Sequence, residues 1–522
     1  MASPPQRAAR GSARTVTRSG ADSVMWDRLF ARHRDPKIGL QGQIRQMLVT
    51  AILDEQLPGG SPLPSSRELA EALGVARNTV VLAYQQLAGE GYLVSRERSG
   101  HFVNPEILRG RVRGASAGAT VAAAASVVAL NRRVPDWSSR LRVQPTAQRN
   151  IVKPADWQKY PYPFLYGQFD ASLFPTADWR ECCMKALSVL DIRDWAPDLI
   201  LRDDPELVQQ VRTRVLPRRG VWAAADEIVV TVGAQHALYL VADLLVDAGT
   251  TVALENPCYP DARNLFASRT AQLRPIDVDA CGLPVDGRLA GCDYVYVTPS
   301  HQCPTTVTMP LERREALLRD AEMHDYVVIE DDYEAENVFE GEPTPALKSL
   351  DRCDRVIYVG SLSKSFAPGL RLGYIVASAE LVRELRGLRR LMLRHPSAFV
   401  QRAFALFVSL GHYGALMRKT SQAYRQRAHA LLDSLARHVP ELRANPVAGG
   451  ASCWVQGPCG LDTERLAERA RAEGVLIEPG EVFFETAADA TARGCFRLGY
   501  SAINSERIEP GIEALGRALR SL

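Results

Sequence analysis

The sequence lacks the features that mark disulfide-rich, zinc-binding and membrane-spanning proteins. Its ten cysteines include no Cys-x-x-Cys pair, and the only adjacent pair is Cys182-Cys183. This scatter argues against a disulfide framework or a metal site and favours reduced thiols. No apolar run approaches the about 20 residues of a membrane-spanning helix, and the arginine-containing N-terminus lacks the apolar core of a secretory signal. We therefore expect a cytoplasmic protein that enters no membrane and holds no metal.

Positive charge is concentrated in two segments near the N-terminus. The 522 residues are enough for two or three domains and carry a net charge of +3. Residues 1–35 contribute +4, residues 36–105 contribute none and residues 106–150 contribute +6, which leaves −7 for the rest. Basic tails commonly follow the phosphate backbone of nucleic acids, and the alternative is an arm that serves only solubility. We expect a disordered basic arm over residues 1–35 and a linker over residues 106–150.

Residues 36–105 show the pattern of a winged helix-turn-helix. Ser65 and Glu68 fit a capping box at the start of the second of three helices. The predicted elements are helices around residues 44–52, 65–73 and 77–88, followed by short strands at residues 92–94 and 101–103. This order predicts a DNA-binding domain with a two-stranded wing.

The third helix carries the residues that we expect to read DNA. In a helix-turn-helix the first residues of the second helix of the motif enter the major groove, where arginine and asparagine suit base edges. Arginines at the start of the preceding helix and in the wing suit phosphate or minor-groove contacts. The alternative is a winged helix that contacts only proteins. The candidate contacts to double-stranded DNA are Ser65, Arg67, Arg77, Asn78, Thr79, Arg96 and Arg98.

From about residue 160 onward, apolar strands alternate with amphipathic helices. The predicted strands are residues 228–232, 251–254, 273–276, 294–297, 327–329, 356–359 and 374–377. This alternation predicts an α/β sheet that is mainly parallel and covered on both faces. We expect this large domain within residues 151–522, with a smaller α+β domain over about residues 395–522.

The most informative stretch is residues 360–374. Lys364 lies in a run of small hydroxyl residues directly after an apolar strand, and Arg371 follows seven residues later. A lysine can form a Schiff base with an aldehyde cofactor, serine hydroxyls can bind phosphate oxygens, and a fixed guanidinium neutralises a phosphate dianion. An isolated lysine would more often lie on the surface, but the neighbouring hydroxyl residues and Arg371 favour a cofactor-binding role for Lys364.

Polar residues also follow neighbouring strands of the predicted sheet. The helix that begins at Gly233 offers N–H groups and a dipole that suit a phosphate. Asp331 can pair with a protonated pyridine nitrogen, although helix capping is its alternative, and Tyr333 can donate to a ring hydroxyl. Because ligands bind beyond the carboxyl ends of strands in open α/β sheets, we expect these residues to meet at one site.

These motifs carry a resemblance to two known families. The C-terminal part, residues 160–520, resembles fold-type I pyridoxal-phosphate aminotransferases, and residues 36–105 resemble the winged-helix domain of GntR regulators. Together they resemble the MocR/GabR-type subgroup, and the motifs most specific to it are residues 64–70, 77–80, 300–302 and 367–373. The resemblance implies pyridoxal 5'-phosphate as the cofactor, a fold-type I domain and a homodimer.

The resemblance also implies two further residues. Arg497 matches the arginine that binds the substrate carboxylate, with a structural strand-end arginine as its alternative, and Tyr259 matches an aromatic residue near the cofactor ring, where core packing is an equal explanation. The cofactor-binding candidates are therefore Gly233, Ala234, Gln235, Tyr259, Asp331, Tyr333, Ser361, Ser363, Lys364 and Arg371, with Lys364 also as the catalytic residue. The sequence departs from the aminotransferase pattern at Cys303, where an asparagine that contacts the ring hydroxyl is not evident, and at Thr306, where glycine is usual.

Two functions remain open at this point. One is a transcription regulator whose aminotransferase-like domain binds pyridoxal phosphate and senses a small amine or amino acid. The other is a catalytically active aminotransferase that carries a DNA-binding domain. A DNA-binding module on a long linker favours the regulator, because such a module has little use in metabolism alone. Release of a keto acid would distinguish the two.

Overall fold

The computed structural model describes most of the chain, which forms two compact units, Met1–Pro135 and Asp136–Leu522. The residues described are 20–35, 38–96, 99–107, 135–168, 170–199, 201–334, 338–339, 344–362, 364, 366–486 and 490–522. The candidates Arg98 and Ser363 lie outside these ranges, as do residues 1–19 of the predicted arm and residues 108–134 of the predicted linker.

The N-terminal unit is a winged helix-turn-helix, as predicted. Its elements are helices α1 (Gly20–Ala31), α2 (Leu40–Leu53), α3 (Ser66–Leu73) and α4 (Arg77–Gly89) and the antiparallel strands β1 (Leu93–Arg96) and β2 (Gly100–Val103). The predicted capping box starts α3: the Glu68 N–H donates to Ser65 Oγ at 3.3 Å, and the Ser65 N–H donates to Glu68 Oε2 at 2.8 Å. Gly74 ends this helix with a φ of 65°, a conformation that favours glycine.

Helix α1 shows that the prediction of a disordered arm over residues 1–35 was wrong for residues 20–31. Trp26 is 6% exposed and Phe30 is 2% exposed, and both belong to the same core as Ile44 and Leu48. Aromatic side chains four residues apart lie on one face of a helix, and burying them offsets the entropy lost when the segment orders. The arginines of this segment suggested a disordered arm, whereas its two aromatic side chains give the helix an apolar face.

The C-terminal unit is built around a seven-stranded sheet formed by the seven predicted strands. After the short strand β3 (Tyr162–Pro163), they are β4 (Ile228–Thr231), β5 (Val252–Asn256), β6 (Leu273–Asp277), β7 (Tyr294–Val297), β8 (Val327–Asp332), β9 (Val356–Ser361) and β10 (Gly373–Val376). Their order across the sheet is β4-β10-β9-β8-β7-β5-β6. Strand β10 runs antiparallel to both of its neighbours, β4 and β9, and all other neighbouring pairs of this sheet are parallel, so the mainly parallel sheet is confirmed. Strand β8 is longer than predicted, because it continues through Asp332.

Helices cover both faces of this sheet. Successive side chains of a strand point to opposite faces, and accordingly Val230 shares a core with Phe404 and Phe407, whereas Val229 shares another with Leu238 and Val241. Burial on both faces explains why these strands read as nearly continuous apolar runs. The helices are α5 (Thr176–Ala186), α6 (Val189–Trp195), α7 (Pro205–Gln210), α8 (Gly233–Leu245), α9 (Pro260–Ala267), α10 (Leu311–His324), α11 (Leu347–Leu350), α12 (Ala379–Leu393) and α13 (Ala398–Ser409).

A smaller α+β domain follows the large sheet. Its elements are α14 (His412–His438), β11 (Arg443–Ala444), β12 (Ser452–Gln456), α15 (Thr463–Ala472), β13 (Val475–Leu476), β14 (Glu478–Pro479), α16 (Ala490–Arg493), β15 (Cys495–Gly499) and α17 (Ser505–Arg520). Four strands form an antiparallel sheet in the order β11-β12-β15-β14, and β13 pairs in parallel with β3.

The predicted start of this domain, about residue 395, is too early. Helix α13 packs in the core of the large sheet, and the long helix α14 passes from one domain to the other. Its Tyr413 and Leu416 belong to the core of the large domain, whereas Leu431 and Leu435 belong to that of the small domain. No turn residues mark the change of domain, because it falls inside a continuous helix of 27 residues.

The C-terminal unit also begins before the predicted boundary at residue 151. Asn264 in α9 donates from Nδ2 to the main-chain oxygen of Arg149 at 2.9 Å, and Asn150 donates from Nδ2 to Asp261 Oδ1 at 2.5 Å. The last residues of the predicted linker therefore belong to the folded domain.

All ten cysteines lie within the described ranges, and no disulfide joins them. None of the described helices is long and apolar enough to cross a membrane.

Helix α4 offers a test of the capping argument. Its N-cap, Ala76, has no side chain that could accept a hydrogen bond. We predict that Ala76→Ser raises the free energy of unfolding of the N-terminal unit by about 1 kcal/mol, and that Ser65→Ala lowers it by about 1 kcal/mol. Hydrogen exchange of the amides in α3 and α4 measures both changes. The same exchange rates in the wild type and in both variants would contradict this account of the two helix starts.

Candidate functional site

The carboxyl ends of the central strands open onto a cavity of about 330 Å³. The predicted cofactor and effector residues that the structure describes all line it: Gly233, Ala234, Gln235, Tyr259, Asp331, Tyr333, Ser361, Lys364, Arg371 and Arg497. The structure thus brings together residues from the large sheet and from β15 of the small domain, and their individual roles remain predictions.

Asp331, near the end of β8, is a buried carboxylate that is only half satisfied. The Tyr296 hydroxyl donates to Oδ2 at 2.9 Å, while Oδ1 is buried without a hydrogen-bond partner among the described residues. Burial raises the pKa of Asp331 to about 7; the Tyr296 hydrogen bond opposes this rise, and the Asp332 charge adds to it. A cationic N–H donor at Oδ1 would satisfy this oxygen and favour the ionised carboxylate, so Asp331 fits a protonated pyridine nitrogen.

Lys364 follows β9 and exposes its side chain to the cavity. Its main-chain N–H donates to Ser361 Oγ at 3.4 Å, and its Nζ lies 4.5 Å from the centre of the Tyr166 ring. Although the side chain faces open space, the walls of the cleft remove most bulk water around the amine, and this burial lowers the pKa of Lys364 to about 8. The Glu334 carboxylate opposes the shift, and the Lys153 ammonium adds to it. The neutral amine, which is the form that attacks an aldehyde carbon, is therefore accessible near neutral pH.

The start of helix α8 and Arg371 form a cradle suited to a phosphate. Arg371 donates from Nη2 to the main-chain oxygen of Val232 at 3.3 Å, and no side chain caps the N-terminus of α8. A Cβ atom at Gly233, whose φ is +75°, would lie 3.2 Å from Arg371 Nη2, and one at Gly373 would lie 2.7 Å from the carbonyl carbon of Gly233. Gly233 therefore allows the guanidinium to approach the helix start, and Gly373 allows strand β10 to pack closely against it. The uncapped N–H groups, the helix dipole and the guanidinium all favour an anion here.

The two predicted tyrosines line the cavity with hydroxyls that already have partners. The Tyr333 hydroxyl donates to the main-chain oxygen of His301 at 2.8 Å. The sequence predicted that this hydroxyl donates to a ring hydroxyl and did not predict the contact with His301. The Tyr259 hydroxyl donates to Asp261 Oδ2 at 2.8 Å and lies 2.9 Å from Gln235 Oε1. Because a hydroxyl has one proton, the O–H bond of each tyrosine must rotate away from its present acceptor before it can donate to a ligand.

Arg497, on β15, is a buried cation that is also half satisfied. Its Nε donates to Glu478 Oε2 at 2.8 Å, and its Cζ lies 4.3 Å from the centre of the Tyr166 ring and 4.8 Å from that of Phe483. Its Nη2 is buried and has no hydrogen-bond partner in the described part of the chain. Burial opposes its charge, but Glu478 more than compensates and raises the pKa of Arg497, so the charge persists. Its Nη1 lies 4.0 Å from Cys303 Sγ. An acid group at the two terminal nitrogens would satisfy Nη2 and add a stronger acceptor for Nη1, which fits the predicted role.

Four residues that the sequence prediction missed complete the electrostatics of the cavity: Lys153, Tyr166, Glu334 and Glu478. Lys153 and Tyr166 line the cavity, and Glu334, for which burial raises the pKa to about 6, is the nearby charge with the largest effect on Lys364. Glu478 contacts both Arg497 and Lys153. Only Glu334 had a sequence signal, because it directly follows the aspartate and tyrosine motif. The others depend on contacts between distant parts of the chain.

In the N-terminal unit, the predicted DNA contacts lie at the surface. Thr79 is half-buried, and the other described candidates are exposed: Ser65, Arg67, Arg77, Asn78 and Arg96. Arg77 donates from Nε to Ser66 Oγ at 3.4 Å, which links the starts of α3 and α4, and the Arg96 guanidinium lies 4.5 Å from the centre of the Phe102 ring. The face that a helix-turn-helix turns towards DNA is thus basic and accessible.

The lowered pKa of Lys364 predicts how the protein combines with an aldehyde. Because only the neutral amine attacks the carbonyl carbon, the rate at which the cofactor-free protein combines with pyridoxal 5'-phosphate should rise with pH through a midpoint of about 8, rather than 10.5 as for an ordinary lysine. Glu334→Gln removes a charge that favours the ammonium form and should move this midpoint to lower pH.

Stopped-flow absorbance over a series of pH values measures the midpoint. The exposed, distant substitution Glu468→Gln is the matched control and should leave it unchanged. A midpoint of about 10.5 in the wild type, or a shift to higher pH in Glu334→Gln, would contradict the electrostatic account of Lys364.

Comparison with known proteins assigns a family to each unit. Residues 202–515 match the family of class I and II aminotransferases, and residues 40–103 match the gntR family of bacterial regulatory proteins. The chain is 43% identical to the HTH-type transcriptional regulator TauR of Rhodobacter capsulatus, over 92% of this chain and 96% of that protein. It is 30% identical to the probable rhizopine catabolism regulatory protein MocR of Rhizobium meliloti, over 94% of this chain and 95% of that protein.

Solved structures agree with this assignment. The α-aminoadipate aminotransferase LysN from Thermus thermophilus, complexed with N-(5'-phosphopyridoxyl)-L-leucine, is 28% identical and superposes with a TM-score of 0.67, covering 74% of this chain and 99% of that chain. A class I and II aminotransferase domain implies binding of pyridoxal phosphate. With a GntR-type winged helix ahead of that domain, the chain belongs to the MocR/GabR-type subgroup of DNA-binding GntR transcription regulators.

Proposed function

We propose that the C-terminal unit binds pyridoxal 5'-phosphate through Lys364 and uses it to sense a small amine or amino acid, which changes how tightly the N-terminal unit binds its operator. The observation that carries this proposal is one cavity lined by Lys364, the half-satisfied carboxylate Asp331 and the half-satisfied cation Arg497. When bound, the cofactor supplies an aldehyde carbon that amines attack and a ring that withdraws electrons.

Each part of the cofactor has residues suited to hold it. Lys364 would bind the aldehyde carbon, and Asp331 would accept a hydrogen bond from the ring nitrogen at Oδ1. Tyr259 and Tyr333 would contact the ring and its hydroxyl. The phosphate would be held by the start of α8 together with Arg371, Ser361 and Ser363. Support for this assignment comes from the two buried polar atoms that lack partners and from the cradle that the glycines leave open.

The effector would replace Lys364 at the aldehyde carbon, while Arg497 binds its acid group. The displaced Lys364 amine, with a pKa of about 8, can then hold or release a proton near neutral pH. A ligand changes a conformational equilibrium only through its different affinity for the two states, so the effector must favour one arrangement of the large and small domains.

A working aminotransferase is the second candidate. The specific observation in its favour is again the pKa of Lys364, because an amine of this kind can take up and return a proton as transamination requires. Conversion of an added amino acid to its keto acid, in an amount equal to the protein, would support this candidate. A regulator that only senses its effector would form none.

We also propose that the protein is a homodimer, as the family resemblance implies. The end of α5 and the start of α6 expose a run of apolar side chains, Met184, Leu187, Val189 and Leu190, which a second copy could cover. Two copies would present two winged helices to an operator with two half-sites. A single-chain mass in sedimentation equilibrium would contradict this proposal.

The substitution Lys364→Ala tests the cofactor assignment. Without this amine the cofactor cannot be held covalently, so the variant should lack the visible absorption band that the wild type develops with pyridoxal phosphate, while it still binds DNA. Lys159→Ala removes an exposed lysine of the same unit, paired with Asp156 at 3.4 Å, and should keep the band. An unchanged band in Lys364→Ala would refute the covalent role of Lys364.

The substitution Arg77→Ala tests the DNA-reading face. An arginine at the first turn of α4 suits a guanine edge, so its loss should cost about 1–3 kcal/mol of binding to a specific operator and much less on random DNA. Fluorescence anisotropy with an operator selected from random duplexes by the full chain measures both affinities. Arg45→Ala, which removes an arginine paired with Glu90 on another face, controls for loss of charge. Equal losses on both DNAs would argue against a base contact.

A further inference from the structure

Two cations of the cavity share one buried carboxylate. Glu478 is 3% exposed; its Oε2 accepts a hydrogen bond from Arg497 Nε at 2.8 Å, and its Oε1 lies 3.3 Å from Lys153 Nζ. Lys153 Nζ also donates to the main-chain oxygen of Tyr166. A single carboxylate therefore contacts both cations at this end of the cavity.

Both cations keep donors that the protein does not use. Arg497 Nη2 is buried with no partner within the described ranges. A lysine ammonium has three N–H donors, and at Lys153 one of them is used by the hydrogen bond to Tyr166, while Glu478 is an ion-pair partner at 3.3 Å. A buried donor without an acceptor is costly, as at Arg497 Nη2. Lys153 is only partly buried, so an anionic ligand group that reaches both side chains would satisfy Arg497 Nη2 and pair with the accessible ammonium of Lys153.

The amine of Lys364 and the two cations all lie close to the ring of Tyr166. Lys364 Nζ lies 4.5 Å from the ring centre, Arg497 Cζ lies 4.3 Å from it and Lys153 Nζ lies 5.9 Å from it. The amine of Lys364 and the two cations are thus grouped around a single side chain. A small molecule with an amine at one end and an acid group at the other can reach both.

Lys153 is carried by a segment that joins the two domains beside the cavity, which we call the bridging segment (residues 148–153). On the side of the large domain, Asn264 donates to the main-chain oxygen of Arg149 at 2.9 Å. On the side of the small domain, Arg149 donates from Nη2 to the main-chain oxygen of Phe484 at 2.8 Å. The bridging segment is therefore held by both domains four residues before Lys153, and Lys153 itself is held by Tyr166 and Glu478.

We propose that Lys153 and Arg497 together bind the acid group of the effector, with Glu478 as the positioning residue for both cations. The cavity then selects amines that carry a carboxylate or a similar acid group over plain amines of the same shape. This inference rests on the proposed function, because it needs the effector amine to be joined to the cofactor at the place of Lys364.

Reduced conjugates of the cofactor separate the acid group from the rest of the ligand. N-(5'-phosphopyridoxyl)-L-alanine and its isopropylamine counterpart differ only by a carboxylate in place of a methyl group, and the β-alanine and propylamine conjugates form a second such pair. Their dissociation constants for the cofactor-free full chain are measured by calorimetry at pH 7.5. The ratio of the two constants within a pair reports the acid group alone.

In the wild type, the acid conjugate of at least one pair should bind about tenfold more tightly than its counterpart, as expected for a charge-assisted contact in a partly buried site. Lys153→Met should reduce this ratio at least about threefold and leave the affinity for the plain amine conjugate unchanged within about twofold, since one of two cations is lost. Lys153→Gln, which can still donate to Tyr166, should reduce the ratio equally and serves if the methionine variant fails to fold. Lys159→Met, six positions after Lys153 and exposed, is the matched control and should keep the full ratio.

Each other result overturns the inference. A ratio of about one for both pairs in the wild type would mean that no acid group is bound at this end. A ratio unaffected by either Lys153 substitution would leave Arg497 as the acid-binding residue without Lys153. Failure of all four conjugates to bind would contradict the proposed function itself, and this inference with it, whereas plain amine conjugates that bind as tightly as the acid ones contradict the inference alone.

Discussion

Asp331 and Arg497 are a buried acid and a buried cation that line one cavity, and in each of them the described part of the chain leaves one polar atom without a partner. Tyr296 holds one oxygen of Asp331 and Glu478 holds Arg497 Nε, while Asp331 Oδ1 and Arg497 Nη2 have no partners among the described residues. A charge removed from water needs compensation close by. The fold supplies part of this compensation and fixes the positions of both side chains, so that a ligand can supply the remaining hydrogen bonds. The strands, the helix starts and the glycines of the C-terminal unit keep these groups and Lys364 around one space.

The parts of this structure that could be predicted from the sequence depend on local signals. Seven apolar runs became the seven strands, the serine and glutamate of the capping box start α3, and polar residues at strand ends meet at the cavity. The pairing of Lys153 with Glu478 was not predictable, because the two residues are far apart in sequence and neither belongs to a motif. The same holds for Trp26 and Phe30, whose burial depends on helices that follow them in the chain. Local patterns locate a site, and long-range packing completes its charge balance.

The bridging segment contacts both domains of the C-terminal unit beside the cavity. This segment contacts the large domain through Asn264 and the small domain through the main chain at Phe484, and Lys153 at its end lies at the cavity. A ligand that binds more tightly to one arrangement of the large and small domains would shift their population and change the contacts of this segment. Lys153 and the contacts that join these two domains therefore lie within one short segment.

The most direct test of this account is the operator affinity of the full chain, loaded with pyridoxal phosphate, with and without the compound that shifts its visible absorption spectrum. The account predicts that the affinity changes about fivefold or more when the spectrum shifts, within the usual range of coupling between two sites, and that no keto acid forms. An unchanged operator affinity, with keto acid formed in an amount equal to the protein, would contradict it and identify a working aminotransferase.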